Sequence, residues 1–227
     1  MNREILDLRD QLREKKQASD LLYCTLKEAI ARGLLPAGTR LREEDLADFF
    51  QVSRTPVREA MKKLEMERLV DSSANGGCFV RSLTLDECLD TLEVLEMLRR
   101  VSYEHLMGRI PRVLLMILEQ NTSKGHTLTD PSERYDNNAE FHDILVRATG
   151  NSVLYNLHQQ LTFTERIIAN TILPVHFVDD YADYHRDLVT AIVNNDQAGV
   201  QKEVNHSKER VEDYMRRIVA AAKTQGL

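Results

Sequence analysis

The sequence predicts a mainly α-helical protein in two parts: three helices closed by a β-hairpin, followed by an all-α bundle of six or seven helices. Three observations predict it. Apolar residues recur at helical spacing along most of the chain. One Asn-Gly pair, Asn75-Gly76, stands between two apolar runs, which is a strong short-range hairpin signal. Beyond the hairpin no alternating strand pattern returns.

The opening stretch, 1–17, alternates charges with Ile5, Leu8 and Leu12, which suits a helical extension and lacks the apolar centre of a signal peptide. Residues 18–32 put Leu22, Leu26, Ala29 and Ile30 on one helical face and stop at Gly33, with Leu35-Pro36-Ala37-Gly38 as a turn. A short helix over 43–50 has Leu46, Ala47 and Phe50 as its apolar side. The third helix starts near Thr55: in Ser53-Arg54-Thr55-Pro56 a hydroxyl can accept from an orphan N–H, and proline in a first turn gives up no hydrogen bond. Val57, Ala60, Met61 and Leu64 form its inward face, with Arg58 and Lys62 to one side and Arg54 just before them. A helix N-terminus flanked by guanidinium groups suits an anion, because backbone N–H groups and side chains address the same phosphate. Alone, this stretch is equally an amphipathic surface helix. With two helices before it, and with Leu69-Val70 and Cys78-Phe79-Val80 flanking the Asn-Gly turn, it completes a winged helix-turn-helix.

The runs Gly33-Leu34-Leu35-Pro36-Ala37-Gly38-Thr39-Arg40-Leu41, Glu44-Asp45-Leu46-Ala47, Val52-Ser53-Arg54-Thr55-Pro56-Val57-Arg58-Glu59-Ala60 and Gly77-Cys78-Phe79-Val80 resemble, in order and spacing, the DNA-binding domain of GntR-type bacterial transcription regulators. The resemblance implies a double-stranded DNA operator as partner. It places Arg54 and Arg58 at base edges or phosphates of the major groove, Ser53 and Thr55 on phosphates, Arg40 behind the backbone contact, and the wing around Gly77 in the minor groove. Arginine suits the first role because its planar fork can bond guanine O6 and N7 together.

Composition sets limits on this reading. The net charge is −6, but unevenly spread: residues 1–81 hold 15 Lys/Arg against 14 Asp/Glu, and residues 82–227 hold 15 against 22. Affinity for DNA must then come from local placement of charge and from two copies on one operator, and sequence-independent binding should be weak. No apolar run approaches the roughly 18 residues of a membrane span, so the expected location is cytoplasmic, with no membrane partner. Cys24, Cys78 and Cys88 show no Cys-x-x-Cys spacing and are expected to be reduced and structural.

The first domain is expected over 1–81 and the second over 82–227, where Thr84-Leu85-Asp86-Glu87 reads as a capping box. Helices are expected over 85–107, 112–120, 132–149, 152–173, 178–194 and 197–224, broken at Gly108 with Pro111, at 122–131, at Gly150-Asn151, at Pro174 and at Asn194-Asn195. Three histidines fall on three of these helices: His142, with Asn138 one turn earlier, His185 and His206. Imidazole is a common ligand of zinc, nickel and copper, although spacing alone leaves each one equally readable as a core or surface residue.

Phe141-His142 with Gly150-Asn151, His185 with Ala191-Ile192 and Asp196, and Ala198 with His206 resemble the FCD effector domain of the FadR-like branch of the same regulators. That resemblance implies a divalent metal, zinc or nickel, held by Asn138, His142, His185 and His206. It also implies a small organic acid as effector, for which Arg166 is the candidate partner. Asn138 departs from the family's usual Asp, and an amide oxygen is the weaker ligand, so Asp136 or water can substitute. Glu93-Val94-Leu95 and Leu98-Arg99 stand where the family often carries Glu-x-Arg and Leu-Glu, so the charge pattern around the pocket is altered.

The function expected from these readings is a homodimeric regulator on a roughly palindromic operator, controlled by a small carboxylate bound in a metal-containing pocket of the helical domain. Two alternatives remain: a metal-free pocket in the same regulator, and a helical metal-dependent enzyme. The enzyme would leave Arg54 and Arg58 without a role.

Overall fold

The computed structural model describes residues 2–12, 17–73, 77–171 and 181–225. They fall into two compact units, Met1–Thr84 with Arg166–Thr171, and Leu85–Glu165 with Ile172–Leu227.

In the first unit α1 (Arg3–Gln11) buries Ile5 and Leu8, and α2 (Ala18–Ala31) buries Leu22, Leu26, Ala29 and Ile30 against α4 (Arg54–Met66). Gly33, at φ 71°, makes the turn that ends α2, and Leu35 N–H donates back to the Ala29 carbonyl at 3.2 Å. α3 (Glu43–Phe50) opens on Glu43, Glu44 and Asp45, acids that suit the positive end of a helix, and packs Leu46, Ala47 and Phe50 inward. Gln51 then adopts a left-handed conformation, φ 55°, and turns the chain into α4. β2 (Val70–Ser73) and β3 (Gly77–Val80) form the expected antiparallel pair, and the Asn75-Gly76 turn lies outside the described residues. The sheet also has a third strand, β1 (Arg40–Leu41), in the order β1-β3-β2, with Arg40 opposite Phe79 and Leu41 opposite Cys78. Two residues are too few to show a period of two, which is why the strand does not stand out in the sequence.

The second unit is helical throughout its described residues: α5 (Leu85–Leu106), α6 (Arg112–Gly125), α7 (Pro131–Ala148), the first part of α8 (Ser152–Thr171), α9 (Tyr181–Val193) and α10 (Gln197–Gln225). α5 packs against α7, α9 and α10, and α6 against α7 and α9, around Tyr103, Leu118, Phe141, Leu145, Leu188, Ile192 and Val200. Pro174 and the expected helix start over 178–180 lie outside the described residues. No helix among the described residues is long and apolar enough to cross a membrane.

α6 runs past the expected end at 120 because its buried face continues beyond Leu118 with small and polar residues: Asn121, Thr122 and Gly125. Asn121 and Asn137 exchange amide bonds to each other's backbone carbonyls, both at 3.2 Å, and Tyr181 O–H donates to Asn137 Oδ1 at 2.8 Å. A Cβ on Gly125 would stand 2.8 Å from Asn137 Oδ1 and 2.9 Å from the Tyr181 hydroxyl. Alanine is the better helix former, yet Gly125→Ala should destabilise the fold by about 1–3 kcal/mol, because those buried partners cannot both move aside. Urea unfolding checks this, and a gain in stability would show that the packing there is slack.

Candidate functional site

The start of α4 presents exposed cations, Arg54, Arg58 and Lys62. Ser53 occupies the N-cap with extended backbone and makes no side-chain capping bond. The helix is therefore positioned by buried Val57, Ala60, Met61 and Leu64, not by the hydroxyl cap that the sequence suggests. Arg54 and Arg58, with side chains 61% and 60% exposed, both meet acids of α3. Arg54 Nη2 lies 2.9 Å from Glu44 Oε1, and Arg58 reaches Glu43 through Nε at 3.1 and 3.2 Å and Nη2 at 2.9 Å. The hydrogen bond from Arg58 holds the Glu43 carboxyl below its ordinary range, with the charges of Arg54 and Lys62 adding to the effect. Arg40 places its guanidinium over Phe79, 5.8 Å from the ring centroid, and lines the same hollow as Arg54, Arg58 and Lys62. Ser53 and Thr55 are exposed on either side of Arg54, and Gly77 opens β3 opposite Ser73. The pairing of Glu43 and Glu44 with these arginines is not legible in the sequence, since no spacing rule ties them to arginines on the next helix.

In the second unit the site is buried. His185 is fully buried, stacked on Phe141 with ring centroids 3.5 Å apart, and neither ring nitrogen has a hydrogen-bond partner among the described residues. His142 lies 5.1 Å from it, ring centroid to centroid, and shares a 2.9 Å hydrogen bond between Nδ1 and the Tyr103 hydroxyl. His158, on α8, belongs to no motif in the sequence; it is also fully buried, with Nδ1 unpartnered among the described residues. Arg99, 5% exposed, forms a two-pronged pair with Glu165, at 2.8 Å (Nη2 to Oε2) and 3.3 Å (Nη1 to Oε1). Its Nε and the Glu96 Oε1 have no partner among the described residues, while Glu96 Oε2 accepts from Ser207 at 3.0 Å.

Burial drives the electrostatics of this cluster. It opposes the Arg99 charge, but Glu165, Tyr103 and Glu96 outweigh it and keep the guanidinium more firmly protonated than usual. Burial first, and the Arg99 charge with it, hold His142 and His185 well below the ordinary imidazole range and lower His158 to about 3. Desolvation raises Glu96, with Arg99 and the Ser207 bond acting against it. At neutral pH the cluster holds one buried cation among neutral imidazoles and phenols.

The residues that the family resemblance implies for a metal do not assemble a four-ligand shell. His142 and His185 come together, Asn138 is half-buried, and His206 is exposed. The register of α10 is the reason: Val200, Val204, Tyr214 and Ile218 face inward and Ser207 reaches Glu96, so His206, about 100° around the helix from Ser207, falls on the flank. There it lies 5.9 Å from the Tyr184 ring and lines a groove with Asp183 and Asp187. Among the described residues no group of three or more His, Cys, Asp or Glu side chains is placed to hold a metal ion. Arg166, the candidate for the acid, is not brought to the cluster either. It pairs with Glu28 on α2 at 3.1 Å, within the first unit, while its neighbour Glu165 meets Arg99. Cys24, Cys78 and Cys88 form no disulfide among the described residues; Cys88 is buried and the other two are half-buried.

Residues 18–80 match the bacterial regulatory proteins, gntR family, and residues 90–219 match the FCD domain. The chain belongs to the GntR family. An uncharacterised HTH-type transcriptional regulator of Bacillus subtilis is 32% identical over 168 residues, 68% of this chain and 75% of that protein. The gluconate operon transcriptional repressor of the same organism is 25% identical over 201 residues, 83% of this chain and 81% of that protein. A crystal structure of a GntR transcriptional regulator from Rhodococcus sp. RHA1 shares the fold at TM-score 0.71 and 20% identity, over 89% of this chain and 98% of that one. These relatives are transcriptional regulators, the class assigned by the sequence motifs, and not the metal-dependent enzyme.

The three depressed imidazoles make stability depend on pH. From about 6.5 down to about 3 the unfolded chain binds protons that folded His158 refuses, and His142 and His185 act in the same direction. Stability should therefore fall as pH drops through this window, by up to about 1.4 kcal/mol per pH unit for each histidine. Urea unfolding of His158→Gln should show a shallower slope, and an unchanged slope would mean that His158 is protonated in the fold.

Proposed function

We propose that the chain is a cytoplasmic, homodimeric, operator-binding repressor whose DNA affinity is set by a small hydroxycarboxylate held, without a metal, in its helical unit. The observation that carries the DNA-binding half is the exposed pair Arg54 and Arg58 at the start of α4, beside Arg40. Exposed guanidiniums at a helix N-terminus, on a unit with little net charge, suit local contacts to bases and phosphates better than bulk attraction. Ser53 and Thr55 stand where they can bond phosphates, and Gly77 begins the strand that leaves the wing. Repression follows the relatives, several of which carry that word in their names.

The effector half rests on Arg99 and the unpartnered atoms around it. A two-pronged guanidinium–carboxylate contact is already made there by Glu165, so the site accepts this chemistry. His185, His158, the Arg99 Nε and the Glu96 Oε1 would otherwise go unsatisfied, at a cost of roughly 1–3 kcal/mol for each buried group. A hydroxyl both donates and accepts, so a polyhydroxylated acid can answer this mixture of donors and acceptors. The gluconate operon repressors among the relatives point to the same class. Two copies per operator fit the exposed apolar stripe Val94, Met97 and Val101 on α5. Control requires only that the acid bind the DNA-competent and incompetent states unequally.

Arg58→Ala should weaken binding to a duplex selected by the chain from a random pool on the order of tenfold to a hundredfold, and should weaken a mixed-sequence duplex less, because a bond to a base edge is specific where a bond to phosphate is not. Electrophoretic mobility shifts over a salt series check this, and unchanged affinity and salt slope would remove α4 from the interface. Calorimetric titration with gluconate should show binding that falls at least about tenfold in Arg99→Lys, because an ammonium cannot reproduce the planar fork. Equal affinity in a variant with unchanged circular dichroism would place the anchor elsewhere.

A further inference from the structure

Of the three carboxylates that line the DNA-facing hollow, Glu43, Glu44 and Glu65, the first two are paired with its arginines, and ordinary electrostatics would count them as a handicap. Each is matched to one arginine: Glu44 to Arg54 at 2.9 Å, and Glu43 to Arg58 through both carboxylate oxygens. Arg54, Glu44 and Arg58 have at least 60% of the side chain in solvent and Glu43 has 34%, so both couples are open to solvent on this face. We propose that Glu43 and Glu44 determine sequence discrimination, each making with its arginine a donor–acceptor couple that fits a guanine–cytosine edge and is disfavoured on bare phosphate.

The chemistry of the two surfaces separates them. In the major groove guanine offers O6 and N7 as acceptors and its cytosine partner offers the N4 amino donor, so one base-pair edge engages a guanidinium and a carboxylate together. A phosphate offers acceptors only, and there the carboxylate brings repulsion that offsets the attraction of the arginine. The couples therefore lower affinity for arbitrary sequence more than for a site with guanine–cytosine pairs beneath them. This rests on the DNA-binding reading of α4.

The test compares a duplex recovered from a random pool by the unsubstituted chain with a mixed-sequence duplex of equal length. For Glu44→Gln and Glu43→Gln the ratio of the two affinities should fall about tenfold, through a gain on the mixed duplex and a loss on the selected one. Glu65→Gln supplies the control, because Glu65 lines the same hollow and is paired with neither arginine among the described residues. It removes one negative charge and should raise both affinities by the same factor. If Glu43→Gln and Glu44→Gln behave like Glu65→Gln, or change nothing, the proposal is overturned. If the unsubstituted chain enriches no sequence, the DNA-binding reading fails and the proposal fails with it.

Discussion

Arg99 keeps only 5% of its surface in solvent, so its charge has to be answered inside the bundle, and Glu165 answers it from α8. Desolvating both ions is expensive, and a pair of this kind rarely repays the cost through its own attraction. What it does is organise its neighbours. The guanidinium field, added to burial, keeps His142, His158 and His185 neutral, and neutral imidazoles can remain inside the bundle where charged ones could not. The proposed effector site rests on that constraint: an acid that takes the place of Glu165 on Arg99 would also meet the neutral rings and the unpartnered polar atoms.

The first unit treats the same ion pair oppositely. Arg54 and Arg58 also meet carboxylates, but in solvent, where such contacts are weak and readily exchanged for others. An exposed pair exchanges partners at little cost, whereas opening the buried pair leaves two desolvated charges unanswered. One type of contact thus behaves in two ways, set by how much water surrounds it.

The legible parts of the chain are those whose signal is local. The α4 face of Val57, Ala60, Met61 and Leu64, the glycine stop after α2 and the hairpin strands follow from spacing and turn chemistry, and all appear in the structure. β1 is too short to show a period, and α6 hides its last turn behind Asn121 and Thr122, buried polar residues whose Nδ2 and hydroxyl donate to the Asn137 and Leu118 carbonyls. The site is less legible. Helical spacing tells which residues share a face and says little about which faces meet, so His142 and His185 do come together while His206 flanks the cluster. Arg99 and Glu165, 66 positions apart, carry no common motif, and Arg166, which the sequence suggests for the acid, stands one residue from the side chain that meets Arg99.

The central claim is that the helical unit holds an acid on Arg99 without a metal. A crystal structure grown with gluconate, with anomalous data collected at the zinc and nickel edges, tests it directly. The account predicts a carboxylate within about 3 Å of the Arg99 guanidinium, Glu165 displaced, and a hydroxyl on the His185 ring. An anomalous peak shared by His142, His185 and His206, with the acid bound to it, would contradict the account.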